Sequence, residues 1–137
     1  MLYWIFDLDY TLYDLPMERN FNYKLLTEDT QLNYLLKMLP FKKYIFTNGT
    51  FSHGLVCLEK INIMSNFEKI IARDTINDLK PNFSSFKKFI TLANINNKDK
   101  CVFFEDSITN LIQAKNFGWI TVLITKENVI NENIDFQ

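Results

Sequence analysis

Carboxylates recur in this chain at spacings that suit cation-assisted chemistry. Asp7 and Asp9 stand two apart in the segment Phe6-Asp7-Leu8-Asp9-Tyr10-Thr11-Leu12, and Glu105 and Asp106 are adjacent before Ser107. Thr47-Asn48-Gly49 and Lys80-Pro81 lie between the two acidic pairs. Clustered carboxylates repel unless a cation neutralises them, and an all-oxygen donor set suits a hard divalent ion. Magnesium keeps waters and bridges to phosphate, so a nearby lysine and threonine hydroxyl could hold the remaining phosphate oxygens. Together these residues ask for a metal and an anion, provided that the fold brings them to one place.

The elements that must position them can be read from short apolar runs alternating with helical periods. Leu2 to Phe6, Lys43 to Phe46, Lys69 to Ala72, Cys101 to Phe104 and Ile120 to Ile124 read as buried strands, brief and rich in β-branched or aromatic residues. Leu32, Leu35, Leu36 and Leu39 form a helical stripe that Pro40 ends. Phe83, Phe86, Ile90 and Ala93 form another, and Ile108, Leu111, Ile112 and Ala114 a third, with Ser107 as N-cap and Gly118 as the stop. Thr50 or Ser52 can cap a further helix running towards Ile61. Strand and helix in alternation imply an α/β fold: a central parallel sheet of about five strands in a three-layer, Rossmann-like arrangement. Ligands of such sheets bind outside the carboxyl ends of the strands. Asp7 and Asp9, Thr47 to Gly49, Lys80 and Glu105 to Ser107 all leave that edge, so they are expected to converge.

In order, these four segments resemble the motifs of the haloacid dehalogenase-like (HAD) hydrolase superfamily, over residues 1 to about 125. Each motif alone is weak; four in the right order on the right strand ends are specific. The patterns Phe-Asp-Leu-Asp-x-Thr-Leu-Tyr and Phe-Phe-Glu-Asp-Ser-x-x-Asn-Leu look closest to the pyrimidine 5′-nucleotidase-like and phosphoglucomutase-like branches. The resemblance implies a phosphatase with the Asp7 strand central and Asp7 as nucleophile, forming an aspartyl-phosphate. Asp9 would be the acid and base, and Thr47, the Asn48 backbone, Gly49 and Lys80 would hold the phosphate. Mg2+ would be bound by Asp7, the Asp9 carbonyl and Asp106, with Glu105 acting in the outer sphere. An acid at position 9 favours a phosphoester over a carbon–halogen bond. A catalytically weak regulatory protein and a phosphotransferase or phosphomutase are the alternatives.

Each feature also has a plain reading. Asp7-x-Asp9-x-Thr11 with Glu18 superficially matches a calcium loop, but Leu12 stands where glycine is needed and Pro16 intrudes. Thr47-Asn48-Gly49 alone is a turn, Lys80-Pro81 a solvated loop, and Glu105-Asp106-Ser107 a helix start with favourable charge. Asn110 either steadies the metal-site loop or faces solvent. His53, the single histidine, reads as a surface helix position, with a substrate contact as the rival.

Composition sets the remaining bounds. A chain of 137 residues that is 47% hydrophobic can bury one core, and a net charge of −1 gives no electrostatic sign of nucleic acid or membrane. No apolar run approaches the ~20 residues of a membrane span, and a cytoplasmic location is expected. Cys57 and Cys101 read as buried free thiols. Residues 1–126 form the core domain and 127–137 an acidic, Asn-rich exposed tail. Segment 14–29 has room for a vestigial cap but not a helical bundle, so the site is expected to be open. A large phosphoester, or an oligomeric partner standing in for the cap, would suit such a site.

Overall fold

The computed structural model describes residues 1–14 and 22–137. Five parallel strands form one sheet: β1 (Leu2–Phe6), β2 (Lys42–Phe46), β3 (Lys69–Ile71), β4 (Lys100–Glu105) and β5 (Ile120–Leu123), in the order β3-β2-β1-β4-β5. The Asp7 strand is therefore central, as the motifs imply. Helices α1 (Thr30–Met38), α2 (Phe51–Lys60), α3 (Arg73–Ile76), α4 (Phe83–Leu92) and α5 (Ile108–Asn116) connect them. α3 is a single turn too short to show a period.

β1 is apolar throughout, and β2 and β4 are apolar apart from their ends, because both faces of the sheet are covered. On β1, Tyr3 and Ile5 join a cluster with Phe46, Phe86, Phe89, Phe103 and Trp119. Phe6 points the other way, into a cluster with Ile45, Cys57, Leu58, Ile61 and Ile63. The first lies under α4 and α5, the second under α2. Phe46 stacks on Phe89 with centroids 4.5 Å apart, so much of the aromatic content is core filler.

Several expectations need correction. Glu105 belongs to β4 instead of following it, and its backbone carbonyl accepts from the Ile124 amide at 2.9 Å. Ile112 is 40% exposed, so the inner face of α5 is built from Asn110, Leu111 and Ala114. The tail is not a free terminus: it folds back along the outer edge of β5. Leu123 N–H donates to the Phe136 carbonyl at 2.8 Å, Thr121 N–H donates to Asp135 at 2.8 Å, and Val129 and Ile134 pack on the core. This covers an edge that would otherwise present unpaired amides. The postulated cap segment 14–29 lies partly outside the described residues; Tyr23–Leu25 form a short 3-10 turn and α1 follows. Among the described residues no helix is long and apolar enough to cross a membrane.

Both cysteines are free and buried. Burial pushes the thiols up, Cys57 to about 11 and Cys101 to about 12. Thiolate is the reactive form, so the native protein at neutral pH is expected to take up no Ellman's reagent within minutes. Two equivalents should react in denaturant; prompt labelling of either thiol in the native state would contradict this packing.

Candidate active site

Asp7 sits one residue past β1, and its amide still donates to the Phe104 carbonyl at 2.9 Å, so the ladder with β4 holds its backbone. Leu8 then turns fully into the core. Its carbonyl accepts from Thr11 and Leu12 N–H groups at 3.2 and 3.0 Å, closing a tight turn that places Tyr10 at φ 62. Thr47 is held in the same way beyond β2, its amide donating to the Ile71 carbonyl at 3.0 Å. The Thr47 hydroxyl accepts from Gly49 N–H at 3.0 Å, and Thr50 caps α2 by accepting from His53 N–H. A β-carbon on Gly49 would fall 3.0 Å from the His53 ring, 3.3 Å from Thr47 Oγ1 and 3.9 Å from Asp9 Oδ2. A side chain here would crowd the His53 ring and the Thr47 hydroxyl, and the three neighbours show that Thr47 and Asp9 meet at this turn.

Lys80 is the buried hub. Its ammonium donates to Asp7 Oδ1 at 3.0 Å, Glu105 Oε2 at 2.8 Å and the Phe46 carbonyl at 2.6 Å, which uses all three of its protons. Burial lowers the Lys80 pKa, but Glu105 and Asp7 outweigh it and hold the ammonium above its ordinary value. Burial likewise opposes ionisation of Asp7; the Lys80 charge and hydrogen bonds from its neighbours prevail and hold it below the ordinary range. Glu105 goes the other way, pushed up to about 8 by burial against the pull of Lys80, with the Asp7 charge adding to the rise. One ammonium does not balance two buried carboxylates.

The second Asp7 oxygen accepts from the Thr11 hydroxyl at 3.0 Å, and Asp106 Oδ1 lies 3.4 Å from the same hydroxyl. Oxygens of Asp7, Glu105 and Asp106 lie within 4.8 Å of one another. Three carboxylates against one ammonium leave excess negative charge among hard donors, which fits a hard divalent cation. Glu105 is otherwise committed: Oε1 accepts from the Asp106 and Ser107 amides, and Oε2 from Lys80 and the buried Asn110 side chain. Asp7 and Asp106 are thus the better placed carboxylates for direct ligation.

Sequence reasoning missed the contacts of Asn48 and of His53 and left Asn110 between two readings. The Asn48 side chain grips the Lys80 backbone, accepting from its N–H at 2.8 Å and donating to its carbonyl at 3.0 Å. Asn110 faces Glu105, not solvent. His53 is no surface residue: its Nε2 lies 2.9 Å from Asp9 Oδ1, and Tyr23 Oη lies 2.9 Å from its Nδ1. The Tyr13 hydroxyl also donates to Asp9. Only the i to i+4 spacing of Asp9 to Tyr13 and of His53 to Cys57 hinted at these. Asn48→Ala is expected to cost about 1–3 kcal/mol, because it strips partners from two part-buried backbone groups of Lys80. Urea melts would show it; a loss below about 0.5 kcal/mol would mean that water replaces the amide.

The haloacid dehalogenase-like hydrolase family matches residues 17–124. The fold is similar to L-2-haloacid dehalogenase from Xanthobacter autotrophicus, with a TM-score of 0.64 and 20% identity over 77% of this chain and 43% of that one. It is also similar to a HAD phosphatase from Thermococcus onnurineus, with a TM-score of 0.60 and 24% identity over 76% and 48% of the two chains. A Thermotoga maritima protein proposed as a β-phosphoglucomutase gives 0.66 and 16% over 83% and 56%. The chain spans about half the length of these structures. Neighbours with such different activities share the sheet and not the substrate. The chain belongs to the haloacid dehalogenase-like hydrolases.

Proposed function

We propose that this protein is a magnesium-dependent phosphatase that works through an aspartyl-phosphate on Asp7. The observation that carries the reading is the place of Asp9. Its carboxylate borders the Gly49 turn beside the Thr47 hydroxyl and is 34% exposed, whereas Asp7 is ion-paired and buried. A partly exposed carboxyl next to a held nucleophile can protonate a leaving oxygen. Breaking a carbon–halogen bond needs no such acid.

In this scheme an Asp7 oxygen attacks phosphorus while the bond to the leaving oxygen breaks and Asp9 hands that oxygen its proton. Water then attacks the aspartyl-phosphate, Asp9 takes the water's proton, and the Asp7 carboxylate and inorganic phosphate are restored. Thr47, the Asn48 amide and Gly49 form the phosphate turn. Lys80 fixes Asp7 and offsets charge. Asp7, the Asp9 carbonyl and Asp106 would hold Mg2+, with Glu105 outside them; the ion would supply positive charge to the phosphoryl oxygens. A cleft of about 780 Å3 beside Asp106, lined by Tyr10, Tyr13, Ile124 and Lys126 among others, offers room for a leaving group such as a nucleotide or a larger phosphoester.

The test is phosphate release over nucleotides, sugar phosphates, phosphopeptides and phosphorylated DNA ends, with Mg2+ and with chelator. Turnover on at least one class that chelator abolishes is expected; none on any class would refute the reading. Read in the first step alone, as the single-turnover formation of the aspartyl-phosphate, Asp9→Asn should slow an alkyl phosphate by about 10²–10⁴-fold yet slow p-nitrophenyl phosphate by less than about tenfold, since that leaving group needs no acid. Equal losses on both would remove Asp9 from the acid role. A catalytically weak binding protein is the second reading. It is favoured by the hydrogen bonds of Tyr13 and His53 to Asp9, which compete with proton delivery.

A further inference from the structure

Beside the all-oxygen group lies a second cluster of different chemistry. His53 and Cys57 are one turn apart on α2 and so share a face. With Asp9 they offer one nitrogen, one sulfur and one oxygen within 4.8 Å of each other. His53 Nε2 is 3.7 Å from Cys57 Sγ and 3.2 Å from Asp9 Oδ2. A tetrahedral zinc ion, with bonds of about 2.3 Å to sulfur and about 2.0–2.2 Å to nitrogen and oxygen, sets its sulfur and nitrogen ligands about 3.6 Å apart and its nitrogen and oxygen ligands about 3.4 Å apart. Both observed separations lie close to these values, and the Asp9 oxygen and the Cys57 sulfur are within 4.8 Å of each other.

The neighbours suit a site as well. Tyr23 Oη sits against His53 Nδ1, the outer partner that orients a ligating imidazole. Tyr13 donates to Asp9 Oδ1, which also lies 2.9 Å from His53 Nε2, so Oδ2, 3.2 Å from the same nitrogen, is the oxygen with fewer hydrogen-bond partners among the described residues. Cys57 is fully buried while Asp9 is part exposed, so a cation can enter from the Asp9 side.

We propose that Asp9, His53 and Cys57 form a second cation site, selective for a borderline divalent ion of the Zn2+ class and distinct from the hard-ion group of Asp7, Glu105 and Asp106. Binding replaces the Cys57 thiol proton, which passes to solvent, and leaves a fourth position for water. The consequence rests on the phosphatase reading: the ion occupies the Asp9 carboxylate, so zinc shuts off acid–base catalysis even when Mg2+ is saturating.

Cobalt(II) is the spectroscopic probe. Full-length protein in excess Mg2+ is expected to bind one Co2+ with thiolate-to-metal charge-transfer absorption and the strong visible bands of a tetrahedral site, and Zn2+ should displace it. Cys57→Ala and the volume-conserving Cys57→Ser should both lose the charge-transfer band and at least about tenfold in Zn2+ affinity. Cys101→Ser and Asp106→Asn should keep the band. Its absence from wild type, or its survival in both Cys57 variants, overturns the site. In the activity arm, one equivalent of Zn2+ should inhibit phosphate release by wild type and spare Cys57→Ala. If wild type releases no phosphate from any substrate, the phosphatase reading fails while the cobalt spectrum still decides the site.

Discussion

Asp7→Asn is expected to remove phosphate release by at least about 10⁴-fold on every substrate that the wild type turns over, the scale on which losing a nucleophile is felt. The substitution is nearly isosteric, and its folded state should survive. The amide oxygen can still accept from Lys80, and Glu105 continues to pair with that ammonium. Rate and stability therefore separate: a large kinetic loss should accompany a melting shift of only a few degrees. Quenched-flow trapping of labelled phosphate on wild type, absent from the variant, gives the covalent readout. Wild type and Asp7→Asn indistinguishable on all substrates would leave the weak-binding reading in place.

The strands could be read from the sequence because their signal is local. Five short apolar runs bounded by polar residues are found as the five strands, within one or two residues at each end. The β4 boundary shows where this stops. Glu105 is buried and charged, which by composition looks like a strand end, yet it continues the ladder because Lys80, from a distant segment, and Asn110, on the helix that follows, receive it. Partners of that kind leave no period behind. The same applies to Asn48, whose value lies in a contact 32 residues away, and to Asp135, which caps β5 from the tail. Motif residues could be named in advance because strand-end topology forces convergence; what each side chain grips could not.

That distinction matters most at Asp9. From its motif it is an acid poised for a leaving group, but in the fold it is held by Tyr13 and His53. On the phosphatase reading proposed above, turnover requires the carboxylate to exchange one of these partners for substrate. A group that must be released before it can act is a natural point of control, whether the competing ligand is a hydroxyl, an imidazole or a metal ion.

Lys80→Met should cost about 3–5 kcal/mol of folding stability, the scale for removing one partner of a buried ionic group. Methionine keeps much of the volume of the lysine stem between the Phe46 and Phe103 rings, so packing accounts for little of the loss. The cost comes from Asp7 and Glu105, whose side chains are 11% and 2% exposed and which share no other cation among the described residues. Glu105 can relieve part of it by taking up a proton, since burial already pushes its carboxyl up. Adding Glu105→Gln removes the second negative charge and keeps one oxygen to accept from the Asp106 and Ser107 amides, while Asn110 can turn its own carbonyl oxygen towards the new amide NH2. The double variant should then be more stable than the sum of the single losses predicts, by about 1–3 kcal/mol of coupling. Urea denaturation of the four proteins closes the cycle. Mg2+ should stabilise Lys80→Met more than wild type, because the cation then has more uncompensated negative charge to bind. Additive losses, or a Lys80→Met cost below about 1 kcal/mol, would mean that water reaches Asp7 and that the ammonium is not what holds the nucleophile in place.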